Sequence, residues 1–295
     1  MVVHPASDVS RRGLSASSTF MKRLLWALLV AVPVSGQGIP APPPTPPGFD
    51  AAHHDRTRAD IGRAARLAAE RGNLIRAASL RAMAVPERVF LAFDGHDGGQ
   101  AVELFGRLPA RTVAVIVPGA GTTLDAYGRL RGGALRLRAE LGAGSAVVAW
   151  LGYPAPRLVS LGSVTTARAD AAAPRLRAFV GGLAAAFPRA RISLLCHSYG
   201  AVVCARAAPG LPVDNLVLYG TAGVPAASAA ALRSPATVWA GRGRRDWIGD
   251  VPAIFGPDPL APGFGARPFD AGDAGHGDYL LGRSLKAIAG IVAHA

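Results

Sequence analysis

Lysine is almost missing from this chain. Of the 32 basic residues in 295, only Lys22 and Lys286 are lysines, and the rest are arginines. Acidic residues number 19, so the formal net charge is +13. Such a balance would suit a polyanion, yet aromatic residues make up only 6% and none interleave with the basic ones. A nucleic-acid groove needs stacking rings beside its cations, so this partner is not expected. The arginines are scattered, densest at "GRGRR" from 241 to 245, and together with abundant alanine and glycine they read as the residue choice of a GC-rich gene. With two cysteines, Cys196 and Cys204, the chain is no disulfide-rich scaffold. No Cys/His cluster has metal-ligand spacing, and neither a metal nor a cofactor is expected. Long apolar runs are also lacking. The longest, Leu24 to Val34, is too short to span a bilayer and contains Pro33. Disorder is excluded from the other side, because half the residues are hydrophobic.

What is present begins with "MKRLLWALLVAVPVSGQG". A positive end at Lys22 and Arg23, an apolar stretch and the small-residue site Val34-Ser35-Gly36 predict a secretory signal over residues 1–36, with Met21 as an alternative start. The expected location is secreted or cell-envelope associated, with no cysteine placed to carry a lipid. A proline-rich linker follows over 37–50. From 51 to 84, Ile61, Leu67, Leu74, Ile75 and Leu80 recur among alanines and arginines, which predicts a helical pair broken at Gly72-Asn73.

The remainder, 85–295, alternates strand and helix. "RVFLAFDGHDGGQAVELFG" reads as a hairpin, "RTVAVIVPGAGTT" as a buried strand ending in a Gly-rich turn. "SAVVAWLGY", a helix from Arg168 to Phe187, "RISLLC", "NLVLYG" and "ATVWAG" continue the pattern, and a helix from Tyr279 to Ala293 closes it. Alternation of this kind predicts an α/β class with a mostly parallel central sheet and helices on both faces, preceded by the short helical segment.

Function in such sheets gathers at the carboxyl ends of the strands. "LLCHSYGA" places Ser198 there, between a strand and a helix. The pattern is that of a nucleophile elbow, Gly-x-Ser-x-Gly, with Cys196 in place of the first glycine. A serine hydroxyl needs a base and an orienting acid, expected in the chain order serine, acid, histidine. His276 in "DAGHGDYL" is the only histidine after Ser198 other than His294, and is the candidate base. Asp246, just past "ATVWAG", is the candidate acid, with Asp250 and Asp258 as competitors. Backbone N–H donors for an oxyanion are expected at Tyr199 and at Ala120 or Gly121 of "PGAGTT". His197 is expected to pack rather than to act as base. The two cysteines, one ending a strand and one inside the next helix, are expected to remain separate buried thiols.

Taken in order, "VAVIVPGAGTTLDAY", "VVAWLGYPAP", "LLCHSYGAVVC", "LVLYGTAGV", "FGPDP" and "GHGDYL" resemble an uncharacterised α/β-hydrolase family of bacterial proteins. Its elbow usually reads Gly-His-Ser-Tyr-Gly. The resemblance covers Val85 to the C-terminus and implies an α/β-hydrolase fold with a triad at Ser198, Asp246 and His276. It implies a serine hydrolase acting on an ester or related acyl bond of a small or lipid-like molecule. An acyltransferase with the same triad and a non-catalytic binding protein on the same fold are the alternatives. Neither substrate nor oligomeric state follows from it.

Overall fold

The computed structural model describes residues 48–96, 99–157 and 160–294. The secretory signal and nearly all of the linker therefore lie outside the described residues. Helices α1 (Ala51–Glu70) and α2 (Leu74–Met83) come first, then strands β1 (Val89–Asp94), β2 (Gln100–Gly106) and β3 (Thr112–Val117). Helix α3 (Gly128–Leu141) and β4 (Ser145–Leu151) follow, then α4 (Ala167–Ala186), β5 (Arg191–His197) and α5 (Tyr199–Ala207). Strands β6 (Asn215–Tyr219), β7 (Thr237–Gly241) and the two-residue β8 (Arg267–Pro268) lead to the last helix, α6 (Gly282–Ala293).

The strands form one sheet in the order β1-β2-β4-β3-β5-β6-β7-β8. Only β2 runs against its neighbours β1 and β4, and all other pairs are parallel. This is the mostly parallel, helix-flanked sheet of the α/β-hydrolase fold. The period-2 side-chain alternation of β3 explains how both faces come to be covered. Val113, Val115 and Val117 join a core with Leu176, Phe179 and Val202 of α4 and α5. Ala114 and Ile116 join a second core with Leu137 of α3 and Ile288 of α6. Because both faces are buried, the central strands read as unbroken apolar runs.

The helical pair packs on the second core through Ile61, Ala65, Leu80 and Met83. Asp50 caps α1 by accepting from the His53 N–H at 2.8 Å. Asn73 caps α2 by accepting from the Arg76 N–H at 3.1 Å, which makes the Gly72-Asn73 break a true helix start. Leu67, Leu74 and Ile75, which share the apolar period, remain exposed.

The last helix starts later than the Tyr279 expected from sequence. Residues before Gly282 form a turn, with Leu281 extended at φ −139° and ψ 154° as the cap. Tyr279 is drawn away from the helix by a hydrogen bond described below. No helix among the described residues is long and apolar enough to cross a membrane.

Candidate active site

The site is built on the turn between β5 and α5. Ser198 has φ 53° and ψ −124°, one of only two non-glycine residues with positive φ among those described. Such a backbone is strained for an L-residue and is held only where the surroundings dictate it. Two neighbouring glycines show what dictates it. A Cβ on Gly200 would lie 2.3 Å from the Val117 carbonyl oxygen, and one on Gly119 would lie 2.7 Å from the Ser198 Cβ. The helix can therefore start directly against β3, and the "PGAG" turn can pass directly over the serine.

The expectation of two separate thiols is corrected here. Cys196 and Cys204 form a disulfide, with Cα atoms 6.3 Å apart, and both are fully buried. The tight elbow is the reason. Cys204 lies only about 7.5 Å of helical rise beyond Tyr199, and the sharp turn at Ser198 folds that rise back over the end of β5. The separation falls within bridging range. The position occupied by glycine in the family elbow thus anchors a staple across the turn.

Around this elbow the structure brings Ser198, His276 and Asp246 into one hydrogen-bonded chain. His276 Nε2 is 3.1 Å from Ser198 Oγ, and Nδ1 is 2.9 Å from Asp246 Oδ1 and 3.2 Å from Oδ2. A carboxylate only accepts, so Nδ1–H is the donor and Nε2 is left to accept from the serine hydroxyl. Asp246 is fully buried at its side chain, and the His276 side chain is 14% exposed. Burial alone would raise the Asp246 carboxyl. Hydrogen bonds from His276, Tyr279 and the Ile248 N–H outweigh it, and the carboxyl is held below its ordinary value.

The competing acids lie elsewhere. Asp250 is exposed on the 3₁₀ turn Trp247–Asp250, and Asp258 pairs with Arg242 at 2.8 Å. Arg244, close to Asp246 in sequence, pairs with Asp273.

Tyr279 is a positioning residue that sequence reasoning missed. Its hydroxyl donates to Asp246 Oδ2 at 2.5 Å and accepts from the Gly243 N–H at 3.1 Å, so it ties the acid to the loop it stands on. Its place three residues after His276 in a tight turn was the available signal. Two rings pack near the imidazole, with the His197 and Trp247 centroids each 4.8 Å from that of His276. His197 also packs on Tyr219 at 5.3 Å and Tyr279 at 5.6 Å. Burial and then the neighbouring His276 push its pKa down to about 3, so it is neutral at ordinary pH.

The amide donors divide. Gly121 N–H donates to the Pro156 carbonyl at 2.8 Å, which of the two alternatives leaves Ala120 as the amide without a partner among the described residues. The Ala120 N–H makes no hydrogen bond with a described residue, and the Tyr199 N–H, as the first of its helix, has no intrahelical partner. Both loops are fixed from behind. The Tyr153 hydroxyl donates to the Pro118 carbonyl at 2.7 Å, and the Tyr199 hydroxyl donates to the Thr165 carbonyl at 2.8 Å. A recess of about 780 Å³ opens beside His276 and Ala120, floored by Ile116, Leu130 and Tyr219.

Among solved structures the chain is similar to an α/β serine hydrolase without lid from Xanthomonas campestris, at 20% identity and TM-score 0.44, over 71% of this chain and 94% of that one. It is similar also to the esterase LipW from Mycobacterium marinum, at 18% identity and TM-score 0.42, over 84% and 91%. A third is the dienelactone hydrolase from Anabaena variabilis, at 16% identity and TM-score 0.42, over 70% and 95%. Likenesses at this level say nothing of substrate. No curated protein matches the sequence. The family model described as alpha/beta hydrolase matches residues 94–257, more than half of the chain, including Ser198 and Asp246. The chain belongs to the α/β-hydrolase family.

Proposed function

We propose that the protein is an exported serine hydrolase that cleaves an ester or related acyl bond through an acyl-enzyme. The observation that carries this reading is the Ser198–His276–Asp246 chain of hydrogen bonds built on a serine of positive φ. In the proposed reaction Ser198 Oγ attacks the acyl carbon while its proton passes to His276 Nε2. The oxyanion accepts from the Ala120 and Tyr199 amides. Collapse breaks the bond to the alcohol, which leaves with the proton from His276. Water then repeats the sequence, giving up a proton to His276, and Ser198 takes that proton back as the acid is released. Asp246 stays ionised throughout and holds the imidazole tautomer, an assignment its lowered pKa supports.

Export is supported by the Lys22-Arg23 and Leu24 to Val34 segment, and by a disulfide that suits an oxidising compartment. The substrate class is a small or lipid-like acyl compound, in keeping with a partly apolar recess beside His276.

A fluorophosphonate probe tests the reading. Purified protein is expected to be labelled at Ser198, and folded Ser198→Ala to remain unlabelled. Folded wild-type protein that resists the probe would overturn it. Nitrophenyl esters assayed with and without an added alcohol then separate hydrolysis from acyl transfer.

A further inference from the structure

The wall of the recess carries three arginines, Arg129, Arg136 and Arg245, and no carboxylate side chain. None of the three forms an ion pair with a described residue. Arg136 and Arg245 are nonetheless held in place. Arg136 Nε donates to the Leu280 carbonyl at 2.9 Å, and Arg245 Nε donates to the Asp273 carbonyl at 2.8 Å. Both anchors lie on the segment that carries His276. Tying down Nε leaves the terminal N–H groups of each guanidinium fork for a ligand. Of the acids on that segment, Asp273 has its carboxylate on Arg244 at 2.8 Å, and Asp278, exposed next to Gly277, does not line the recess. Arg129 reaches the same place from the first turn of α3. Its Nη1 lies 3.4 Å from where a Cβ on Gly277 would stand, and its charge depresses protonation of His197.

Apolar lining with three guanidinium groups free of ion pairs among the described residues, beside the His276 that hydrogen-bonds Ser198, has the chemistry of a site for a hydrocarbon that carries an anion. Resting on the hydrolase reading above, we infer that the substrate is an ester bearing a carboxylate, recognised by Arg129, Arg136 and Arg245. The carboxylate could belong to the acyl part, as in a half-ester of a dicarboxylic acid, or to the alcohol part. The recognition chemistry is the same in both cases: a planar guanidinium fork meeting a planar carboxylate.

The test uses Ser198→Ala of the full chain, so that binding is read without turnover. Monobenzyl succinate represents an acyl-side carboxylate and is compared with its methyl ester. 4-(Butyryloxy)benzoate represents an alcohol-side carboxylate and is compared likewise. At low salt at least one acid is expected to bind tenfold or more tighter than its methyl ester. That preference is expected to fall to threefold or less when Arg129→Gln and Arg245→Gln are added, and in 0.5 M salt. Arg189→Gln, an exposed arginine at the opposite end of β5, controls for net charge and should retain the preference. Equal binding of acid and methyl ester in both pairs would overturn the inference, and so would a preference that survives the double substitution. Which pair shows the preference assigns the carboxylate to the acyl or the alcohol side. Probe labelling of wild-type Ser198 is read separately, so loss of the hydrolase reading is distinguishable from loss of the anion site.

Discussion

Replacing both Cys196 and Cys204 by alanine removes a bridge that closes a loop of sequence separation 8 around Ser198. For a loop of that length, the chain-entropy model gives about 8 cal/mol/K of denatured-state entropy, or about 2.5 kcal/mol at 25 °C. Losing two fully buried sulfurs adds on the order of 1 kcal/mol from imperfect repacking. The double variant should therefore lose about 3.5 kcal/mol. The positive-φ serine inside the loop stores about 1–3 kcal/mol of backbone strain, so the bridge offsets a cost of its own size. Urea unfolding of wild type with and without reductant isolates the cross-link, and the alanine pair adds the packing loss. A second readout is the rate of fluorophosphonate labelling, expected to fall at least fivefold under reducing conditions where the protein is still folded. Unfolding free energies within 0.5 kcal/mol of one another across all three samples would refute this account of the elbow.

Tyr279→Phe removes a hydrogen bond to an ionised, buried carboxylate and leaves the Gly243 N–H unpaired. A loss of about 1.5–3 kcal/mol is expected by urea unfolding, with ester turnover reduced about tenfold; unchanged values in both would remove Tyr279 from the site. His197 binds a proton only near pH 3 when folded but near 6.5 when unfolded. Between those values the unfolded state holds more protons, so stability is full above about 6.5 and falls by about 1.4 kcal/mol per pH unit as pH drops towards 3. Denaturant midpoints from pH 7 to 4 should show a slope that is shallower by that amount in His197→Phe. Gly200→Ala drives a Cβ to 2.3 Å from the Val117 oxygen, whereas a Cβ on Gly181, inside α4, meets nothing within 4 Å. The first substitution should cost at least about 2 kcal/mol and the second should stabilise by about 0.5–1 kcal/mol. Equal melting shifts would contradict the close approach at the elbow.

The sheet was legible because its physics is local. Apolar runs such as "TVAVIV" and "SLLC" have the length and flanking turns of strands buried on both faces, and β3 and β5 fall where those runs do. The two-residue β8 was not legible, since Arg267 and Pro268 join the sheet only through register with Trp239 and Ala240. Ser198 stood out because a serine followed by Tyr-Gly at a strand–helix junction has few other uses. Asp246 could not be separated from Asp250 and Asp258 on sequence, because the choice depends on which carboxylate the β7 loop turns inward. The disulfide was misjudged for a related reason. Counting along a strand and a helix gives the contour between two cysteines, while the elbow sets the distance through space. Tyr279, Trp247 and the arginine rim were silent for the same cause: their meaning is in what the 272–281 turn lays them against.

The placement of Trp247 and His197 near His276 bears on how one imidazole carries a transient charge. The centroids of both rings lie 4.8 Å from that of the His276 imidazole, each ring tilted by 47° to it. In the proposed reaction the proton taken from the serine leaves from the same nitrogen that received it, because Nδ1 stays on Asp246. As the ring becomes a cation, the indole lies within range to attract it, and the neighbouring His197 is uncharged at ordinary pH. An aromatic neighbour would thus do for the transient charge what a second carboxylate could do only by disturbing the first.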